Sequence, residues 1–246
     1  MLNGFIAVYL REILILKRKI KRQILSMSIS PLLYLIAFGY AMGDKIVVHG
    51  HSYIEFLIPG LVAMSTMTYS FGISSEINIA RFYWQIFDEF QASPISDFEY
   101  VLGEVAAAIT RALLGVVIIL VLGYLFGVYL NYFNIYFIGG IILNSFVFAS
   151  IAVALAMLVK SHADQAFLSS FVITPMAFLG GTFFPVDRLP SWAQIIIKLL
   201  PITHAAKVIR KSAFGGVPNI NSYLILFILG IIFFVFAIKT VAMARD

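Results

Sequence analysis

Residues 79–103 read IARFYWQIFDEFQASPISDFEYVLG, a long polar interruption between two apolar runs. If residues 80–92 form a helix, large apolar side chains recur at three-and-four spacing along one stripe, namely Phe82, Ile86, Phe87 and Phe90. Asp88 and Glu89 then point away from this stripe. The pattern predicts a short amphipathic helix outside the hydrocarbon, so the flanking apolar runs are expected to cross a membrane on either side of it.

A corner follows this amphipathic helix. Pro94 lacks the backbone N–H that a helix needs, and it disfavours helical geometry in the residue before it. Ser96 and, three residues later, Glu99 have the spacing of a capping box, and apolar residues follow them. The segment therefore predicts a helix, a tight corner and a second helix that enters the membrane.

The overall composition is that of a membrane protein. Of 246 residues, 61% are hydrophobic and 12% are charged, and the mean hydropathy is +0.98. Soluble domains carry about twice that charged fraction, with about 45 to 50% apolar residues. The net charge of +5 is attributed to basic residues that flank apolar spans, so no nucleic-acid partner is expected. Because the chain has no cysteine, disulfides and thiolate metal sites are excluded.

The apolar runs predict one all-α polytopic transmembrane domain covering residues 1–246. Six runs are long enough to span a hydrocarbon core of about 30 Å; they lie at 24–42, 57–78, 98–130, 135–159, 166–186 and 220–240. The basic segment 1–22 is expected to be an interfacial helix along the membrane surface. An even number of spans places both termini on one side, and the basic residues up to Arg22 assign that side to the cytosol. We therefore expect a multi-pass protein of the cell inner (cytoplasmic) membrane, with the helix at 80–92 facing the cytosol.

The first external loop carries His49 and His51, with Asp44 and Glu55 nearby. Imidazoles and carboxylates bind a metal when three or four of them converge. Loop histidines without such a role are also common. We interpret this segment as a loop and expect no metal.

The fifth predicted span, 166–186, contains residues that interrupt a helix. Pro175 lies inside it, Gly180 and Gly181 follow, and Pro185 ends it, so its backbone hydrogen bonding must be broken. The irregularity indicates either a packing kink or an element that moves or lines a passage.

Residues 188–214 resemble neither a span nor a soluble domain. Two apolar stripes are separated by Pro201, which predicts two short helices that dip into or lie on the outer leaflet. Their polar faces are basic and carry Lys198, Lys207, Arg210 and Lys211. This charge opposes the positive-inside rule and narrows the margin for the predicted orientation.

Three charged residues lie within or beside the predicted spans: Glu76, Glu104 and Arg111. An ionisable side chain there is costly unless it is paired or hydrated. Glu104 and Arg111 are seven residues apart and share a helix face. They are interpreted either as part of an ion pair between helices, such as Arg111 with Glu76, or as a functional gate or proton relay.

Motifs for nucleotide binding and hydrolysis are absent from the sequence. Gly-Lys never occurs, so there is no P-loop, and neither H-E-x-x-H nor G-x-S-x-G is present. We therefore do not expect an enzyme or a cofactor bound by this chain, and any energy for transport must come from elsewhere.

Three stretches carry a resemblance to a known family. They are SPIS-x-x-E-x-x-LGE at 93–104, FLGGTFFPVDRLPSWAQ at 178–194 and LPITHAAKVIRKSAFGG at 200–216. Together with the pattern of spans, they resemble the membrane subunits of type-2 ATP-binding-cassette (ABC) exporters over nearly the whole chain. The last two stretches look most similar to permeases for lipo-oligosaccharides such as nodulation factors, and to daunorubicin-type drug exporters.

The resemblance implies two permeases in membrane lipid and a dimer of ABC ATPase subunits that bind ATP and Mg. It implies that the helix at 80–92 is a coupling helix beside the corner at Pro94, with contacts to the ATPase from Arg81, Phe82, Trp84, Phe87, Asp88 and Glu89. It implies an external gate at Gly180, Gly181, Pro185, Pro190, Trp192 and Pro201. Many relatives have Lys where this chain has Glu104, so the resemblance assigns Glu104 no role.

Three functions are open at this point. The preferred one is the permease subunit of an ATP-driven exporter that moves an amphiphilic substrate, either a lipid-linked glycoconjugate or a hydrophobic drug. The alternative is a proton-coupled secondary transporter that uses Glu76, Glu104 and Arg111. The third is a membrane subunit for assembly that transports nothing.

Overall fold

The computed structural model describes residues 3–42 and 46–245. Apart from an antiparallel hairpin of β1 (Val47–Val48) and β2 (His51–Ser52), the regular structure of these residues is helical. The α-helices, in chain order, are α1 (Asn3–Met42), α2 (Tyr53–Phe71), α3 (Ile73–Phe82), α4 (Ile86–Ala92), α5 (Asp97–Leu125), α6 (Ile135–Leu158), α7 (His162–Leu168), α8 (Thr174–Leu179), α9 (Ser191–Lys198), α10 (Pro201–Ala213) and α11 (Ile220–Met243). A π-helical turn (Ser169–Ile173) joins α7 to α8, and a 3-10 turn (Val186–Arg188) precedes α9.

Four segments of the described chain are long and apolar enough to cross a membrane. They are α2 with α3 (Tyr53–Phe82), α5, α6 and α11. Counting α9 and α10, which meet at an angle of 91°, as one broken span gives five. The protein is therefore all-helical and polytopic. Helix length and composition do not confirm six spans. Two of the predicted spans, 24–42 and 166–186, are not among the segments found in the described part of the chain.

The structure corrects the predicted division between an interfacial helix at 1–22 and a span at 24–42. α1 is one continuous helix of 40 residues, about 60 Å long at 1.5 Å per residue. The junction around Arg22 and Ile24 contains neither glycine nor proline, so nothing interrupts the hydrogen bonding there. Pro31 is accommodated inside the helix. The basic half of α1 therefore continues directly into its apolar half.

α2 and α6 form the centre of the bundle. α6 packs against α2, α5, α10 and α11, while α1 packs along α5. Large side chains such as Phe56 and Phe148 are fully buried between these helices. Small residues allow close approach: a Cβ on Gly115 would lie 2.2 Å from the ring of Tyr69. In a membrane such van der Waals packing holds helices together, because lipid offers no hydrophobic driving force between them.

Contacts at the two ends of α5 show which parts of the chain lie at each end of the bundle. At its first turn, Arg245 lies 2.8 Å from the carboxylate of Asp97, and Gly4 packs against the same turn. Just beyond its last turn, the N–H of Asn131 donates to the carbonyl of Ala213 at 3.0 Å. α5 has 29 residues, so its ends are separated by about 43 Å. The first and last described residues therefore lie at one end of the bundle, and the C-terminus of α10 lies at the other.

The region predicted as the fifth span is a helix with a widened turn. α7, the π-helical turn and α8 run without a gap from residue 162 to residue 179. The ring of Pro175 would clash with a carbonyl one turn earlier in a regular α-helix, and the π-helical turn beside it relieves this clash. Gly181 has a φ of +83°, which favours glycine. The helix therefore ends at Leu179 instead of continuing to 186.

Candidate functional site

The helix predicted at 80–92 is divided into two pieces in the structure. α3 continues to Phe82, a turn follows, and α4 begins at Ile86. Gln85 in this turn has a left-handed conformation with a φ of 55°, which a continuous helix does not allow. Arg81 anchors the end of α3, because its Nη1 donates to the carbonyl of Met157 at 2.5 Å, near the C-terminus of α6.

We call residues 82–89 the docking segment. Its exposed aromatic and acidic side chains are Phe82, Tyr83, Trp84, Asp88 and Glu89. Exposed aromatic residues at this density are typical of a surface that contacts another protein. Tyr83 is the most exposed of them, at 84%. The resemblance did not include Tyr83 among the predicted contacts, and Tyr83 is not part of the apolar stripe of a regular helix.

Phe87 and Arg81, both predicted to contact a partner, are used inside the molecule. Phe87 is only 4% exposed, and its ring lies 5.5 Å from that of Tyr100 in α5. The guanidinium of Arg81 stacks over the rings of Phe82 and Phe87, at 4.7 and 5.3 Å. These two residues position the docking segment, and the burial of Phe87 does not fit a direct contact with a partner.

Pro94 forms the corner between α4 and α5. The predicted capping box is present: Ser96 Oγ accepts from the N–H of Glu99 at 3.3 Å, and Glu99 Oε2 accepts from the N–H of Ser96 at 3.1 Å. Nη2 of Arg245 donates to the carbonyl of Ile95 at 2.7 Å. The corner is thus fixed both by its own cap and by the C-terminal end of the chain.

A chain of ion pairs connects α1, α5 and α3. Arg111 Nη1 lies 2.7 Å from Glu76 Oε1, and Arg111 Nη2 lies 2.8 Å from Glu12 Oε2. Glu12 Oε1 in turn lies 2.7 Å from Arg11 Nη1. The sequence interpretation included the pair of Arg111 with Glu76 but missed Glu12. A signal for it was available, because Glu12 is the one acidic residue before Asp44 in a strongly basic stretch.

Glu104 lies beside this network without joining it. It is 1% exposed, and within the described residues it has no ion pair and its Oε2 has no hydrogen bond. It lines a cavity of about 100 Å³ together with Glu12, Glu76 and Tyr100. Water commonly satisfies buried polar groups in cavities of this size. The three predicted intramembrane charges are therefore close together, but only Glu76 and Arg111 are paired.

A larger cavity, of about 770 Å³, lies at the end of the bundle where α10 ends. The six gate residues taken from the resemblance divide into two groups around it. Those that line the cavity are Gly180, Gly181 and Pro185. Those outside its lining are Pro190, Trp192 and Pro201, which lie on or next to α9 and α10.

The hairpin of β1 and β2 closes one side of this cavity through His49 and His51. His51 Nδ1 lies 3.5 Å from Glu55 Oε2, and its ring stacks on Phe214 with centroids 3.7 Å apart. The described residues contain no group of three metal-binding side chains, and Asp44 lies outside them. In this structure His51 holds the hairpin against the end of α10.

Known proteins resemble this chain over most of its length. The profile of the ABC-2 type transporter family matches residues 3–214. Nodulation protein J of Rhizobium meliloti (strain 1021) is 36% identical over 222 residues, which cover 87% of this chain and 83% of that protein. The inner membrane transport permease YadH of Escherichia coli (strain K12) is 26% identical over 210 residues, covering 84% and 82%. The chain therefore belongs to the ABC-2 type transporter family.

Proposed function

We propose that this chain is the membrane-spanning permease subunit of an ATP-driven exporter. It works with a second copy of itself and with a dimer of ABC ATPase subunits, which bind ATP and Mg. The observation that carries the proposal is the docking segment, an exposed aromatic and acidic surface joined to membrane helices. Because the sequence has no nucleotide-binding motif, energy must enter through a partner at such a surface.

A displacement of the docking segment is transmitted to neighbouring helices through packed aromatic rings. Phe87 and Phe90 both contact Tyr100 in the first turn of α5, with centroids 5.5 and 5.3 Å away. The guanidinium of Arg11, in α1, lies 5.3 Å from the centre of the Phe90 ring. About three turns further along α5, the ion pairs of Arg111 join α5 to α1 a second time and also to α3. Separating these helices breaks buried ion pairs, so α1, α3 and α5 are expected to move together.

The contacts at the two ends of the bundle support a six-span arrangement. The described chain ends lie beside the first turn of α5, so the number of crossings is even. Adding α1 and the α7–α8 segment to the four apolar segments gives six, with α9 and α10 as a re-entrant pair. The basic residues of α1 support a cytosolic position for both termini and for the docking segment, at the cell inner membrane.

We propose an amphiphilic substrate, either a lipid-linked glycoconjugate or a hydrophobic drug. The resemblance of residues 178–194 and 200–216 to lipo-oligosaccharide permeases favours the glycoconjugate, and relatives named nodulation protein J are consistent with that resemblance. A groove of about 420 Å³ between α1, α2 and α8 also suits it. Hydroxyl and aromatic side chains line this groove, among them Ser26, Ser30, Tyr34, Ser65, Thr68 and Phe178. Hydroxyl groups can hydrogen-bond a sugar, while the rings offer it an apolar face.

The proposal is tested by purifying the tagged protein in mild detergent and measuring the ATPase that accompanies it. The double variant Asp88→Lys and Glu89→Lys is expected to retain about tenfold less ATPase than the wild type, because charge reversal at a complementary surface brings like charges together. The readouts are the amount of a P-loop protein by mass spectrometry and the rate of ATP hydrolysis in the eluate.

The control is Asp187→Lys, which makes one such charge reversal, half the total of the double variant, at an exposed site at the α10 end of the bundle. This variant should retain as much ATPase as the wild type. Equal retention by the double variant shows that the docking segment is not the contact. If no ATPase co-purifies with the wild type, the proposed energy source is wrong. Proton-coupled transport through Glu76, Glu104 and Arg111 then replaces this proposal.

A further inference from the structure

The cavity of about 770 Å³ at the α10 end is cationic. Its charged lining residues are Lys207, Arg210, Lys211 and Asp187, so three positive charges and one negative charge leave +2 with the histidines neutral. Positions 207, 210 and 211 share one face of α10 by their three-and-four spacing, and like charges at this spacing destabilise a helix. Within residues 3–42 and 46–245, no carboxylate forms an ion pair with any of these three cations.

Arg210 is fixed at the cavity wall by neutral groups. Its Nη2 donates to the carbonyls of Gly181 and Thr182 at 2.9 and 3.2 Å, and its Nε donates to the carbonyl of Phe56 at 3.2 Å. The guanidinium also lies 3.8 Å from the centre of the Phe56 ring. Nη1 has no hydrogen bond to any described residue. A guanidinium held in place with free N–H groups is suited to an anion, because little further ordering is needed on binding.

Lys211 is positioned by the turn that ends α10. Gly215 has a φ of +75°, and the N–H groups of Gly215 and Gly216 donate to the carbonyls of Ser212 and Lys211, each at 3.0 Å. These bonds form a Schellman motif. A Cβ on Gly216 would lie 2.6 Å from Lys211 Cε, so the lysine stem packs on this glycine. The helix cap therefore holds Lys211 at the same cavity as Arg210.

We propose that this cavity binds a phosphate-bearing anion, with Arg210 and Lys211 as the principal contacts and Lys207 as a third. A phosphate ion carries a charge of about −1.5 to −2 near neutral pH, and the phosphodiester of an anionic lipid headgroup carries about −1; the acceptor oxygens of either one suit a guanidinium flanked by two ammonium groups. The anion is either the headgroup of an anionic membrane lipid or a phosphate ion from solution. The inference is independent of the proposed export, because binding is measured on the permease without any ATPase.

The test uses the full-length protein in mild detergent, with two separate probes. The first is inorganic phosphate, titrated by calorimetry. The second is phosphatidylglycerol compared with phosphatidylcholine, measured as bound lipid by native mass spectrometry. The variant with Lys207→Gln and Lys211→Gln is expected to bind the anionic probe about tenfold more weakly, since hydrogen bonds to charged groups are lost. Lys198→Gln, which neutralises an exposed lysine outside the cavity, should stay within about twofold of the wild type.

Each outcome has a defined meaning. Loss of phosphatidylglycerol binding in the double variant supports a lipid headgroup, and loss of phosphate binding alone supports a soluble anion. Arg210→Lys, which keeps the charge but loses the planar fork, should bind more weakly than the wild type and more tightly than Arg210→Gln. Binding of both probes that is unchanged in the double lysine variant overturns the proposal. So does equal binding of the two lipids with no binding of phosphate. Thermal melting of each variant shows that it is folded, and the lysine pair carries the test if Arg210→Gln does not fold.

Discussion

Replacing Arg111 with methionine is expected to lower the free energy of unfolding by about 3 to 5 kcal/mol, because one partner of a buried ion-pair network disappears. The side chains of Arg111 and Glu12 are each 5% exposed, and that of Glu76 is 43% exposed. The variant leaves Glu12 with Arg11 alone, in surroundings that solvate a carboxylate poorly. The measurement is the temperature at which half of the protein remains monodisperse on size exclusion after heating in mild detergent.

Two further variants make this result specific. Arg188→Met removes an exposed arginine that has no ion pair within the described residues, and it should change the midpoint little. Adding Glu12→Gln to Arg111→Met removes the buried carboxylate that has lost one of its two cationic partners, and it should recover part of the lost stability. If Arg111→Met is as stable as the wild type, the ion pairs do not hold α1, α3 and α5 together. They then do not transmit a movement of the docking segment to these helices.

Gly60→Ala is expected to destabilise the protein by about 1 to 3 kcal/mol, which is the usual cost of overpacking a filled site. A Cβ at this position would lie 2.3 Å from the carbonyl oxygen of Thr182 and 2.8 Å from Nη2 of Arg210. α2 must therefore move away from the segment that follows α8, although alanine is the better helix former. The same size-exclusion midpoint reports the effect.

Gly139→Ala is the matched control, because it makes the same change inside α6. Its nearest neighbour would be Cε1 of Tyr223 at 3.6 Å, an ordinary contact. Here the helix propensity of alanine should leave the protein unchanged or up to about 1 kcal/mol more stable. Equal midpoints for the two alanine variants would show that α2 does not approach Thr182 as closely as the structure has it.

Local signals predicted several structural features between residues 76 and 111. The capping box of Ser96 and Glu99 depends on four consecutive residues, and it occurs where the sequence places it. The corner at Pro94 depends on the missing N–H of one residue. The pair of Arg111 with Glu76 was one of two interpretations, since a charge at membrane depth needs a partner and few were available.

Features that depend on distant contacts were not predictable in the same way. The break between α3 and α4 lies where Arg81 bonds to Met157, which is 76 residues away in the sequence. The burial of Phe87 depends on Tyr100 across the corner. Glu12 reaches Arg111 because α1 is one continuous helix that packs along α5. Hydrophobic periodicity alone does not distinguish such a helix from a separate surface helix.

The cavity at the α10 end also depends on contacts between residues that are distant in the sequence. The sequence indicated basic residues on this helix but not which of them meet. Arg210 is positioned by carbonyls of Phe56 and Gly181, which come from α2 and from the segment after α8. Lys198, on the adjacent helix, is outside the cavity. The constellation exists only once α2, α8 and α10 are packed together.

Site-specific cross-linking tests the docking segment most directly, because the chain has no cysteine of its own. A photoactivatable maleimide is attached to Asp88→Cys, exposed in α4, or to Tyr129→Cys, exposed beyond the far end of α5. Each variant is irradiated in membranes from the producing cell. We expect the probe at position 88 to form a covalent product with a P-loop protein that hydrolyses ATP, and the probe at position 129 to form none. An ATPase product at position 129 without one at position 88 would contradict the account.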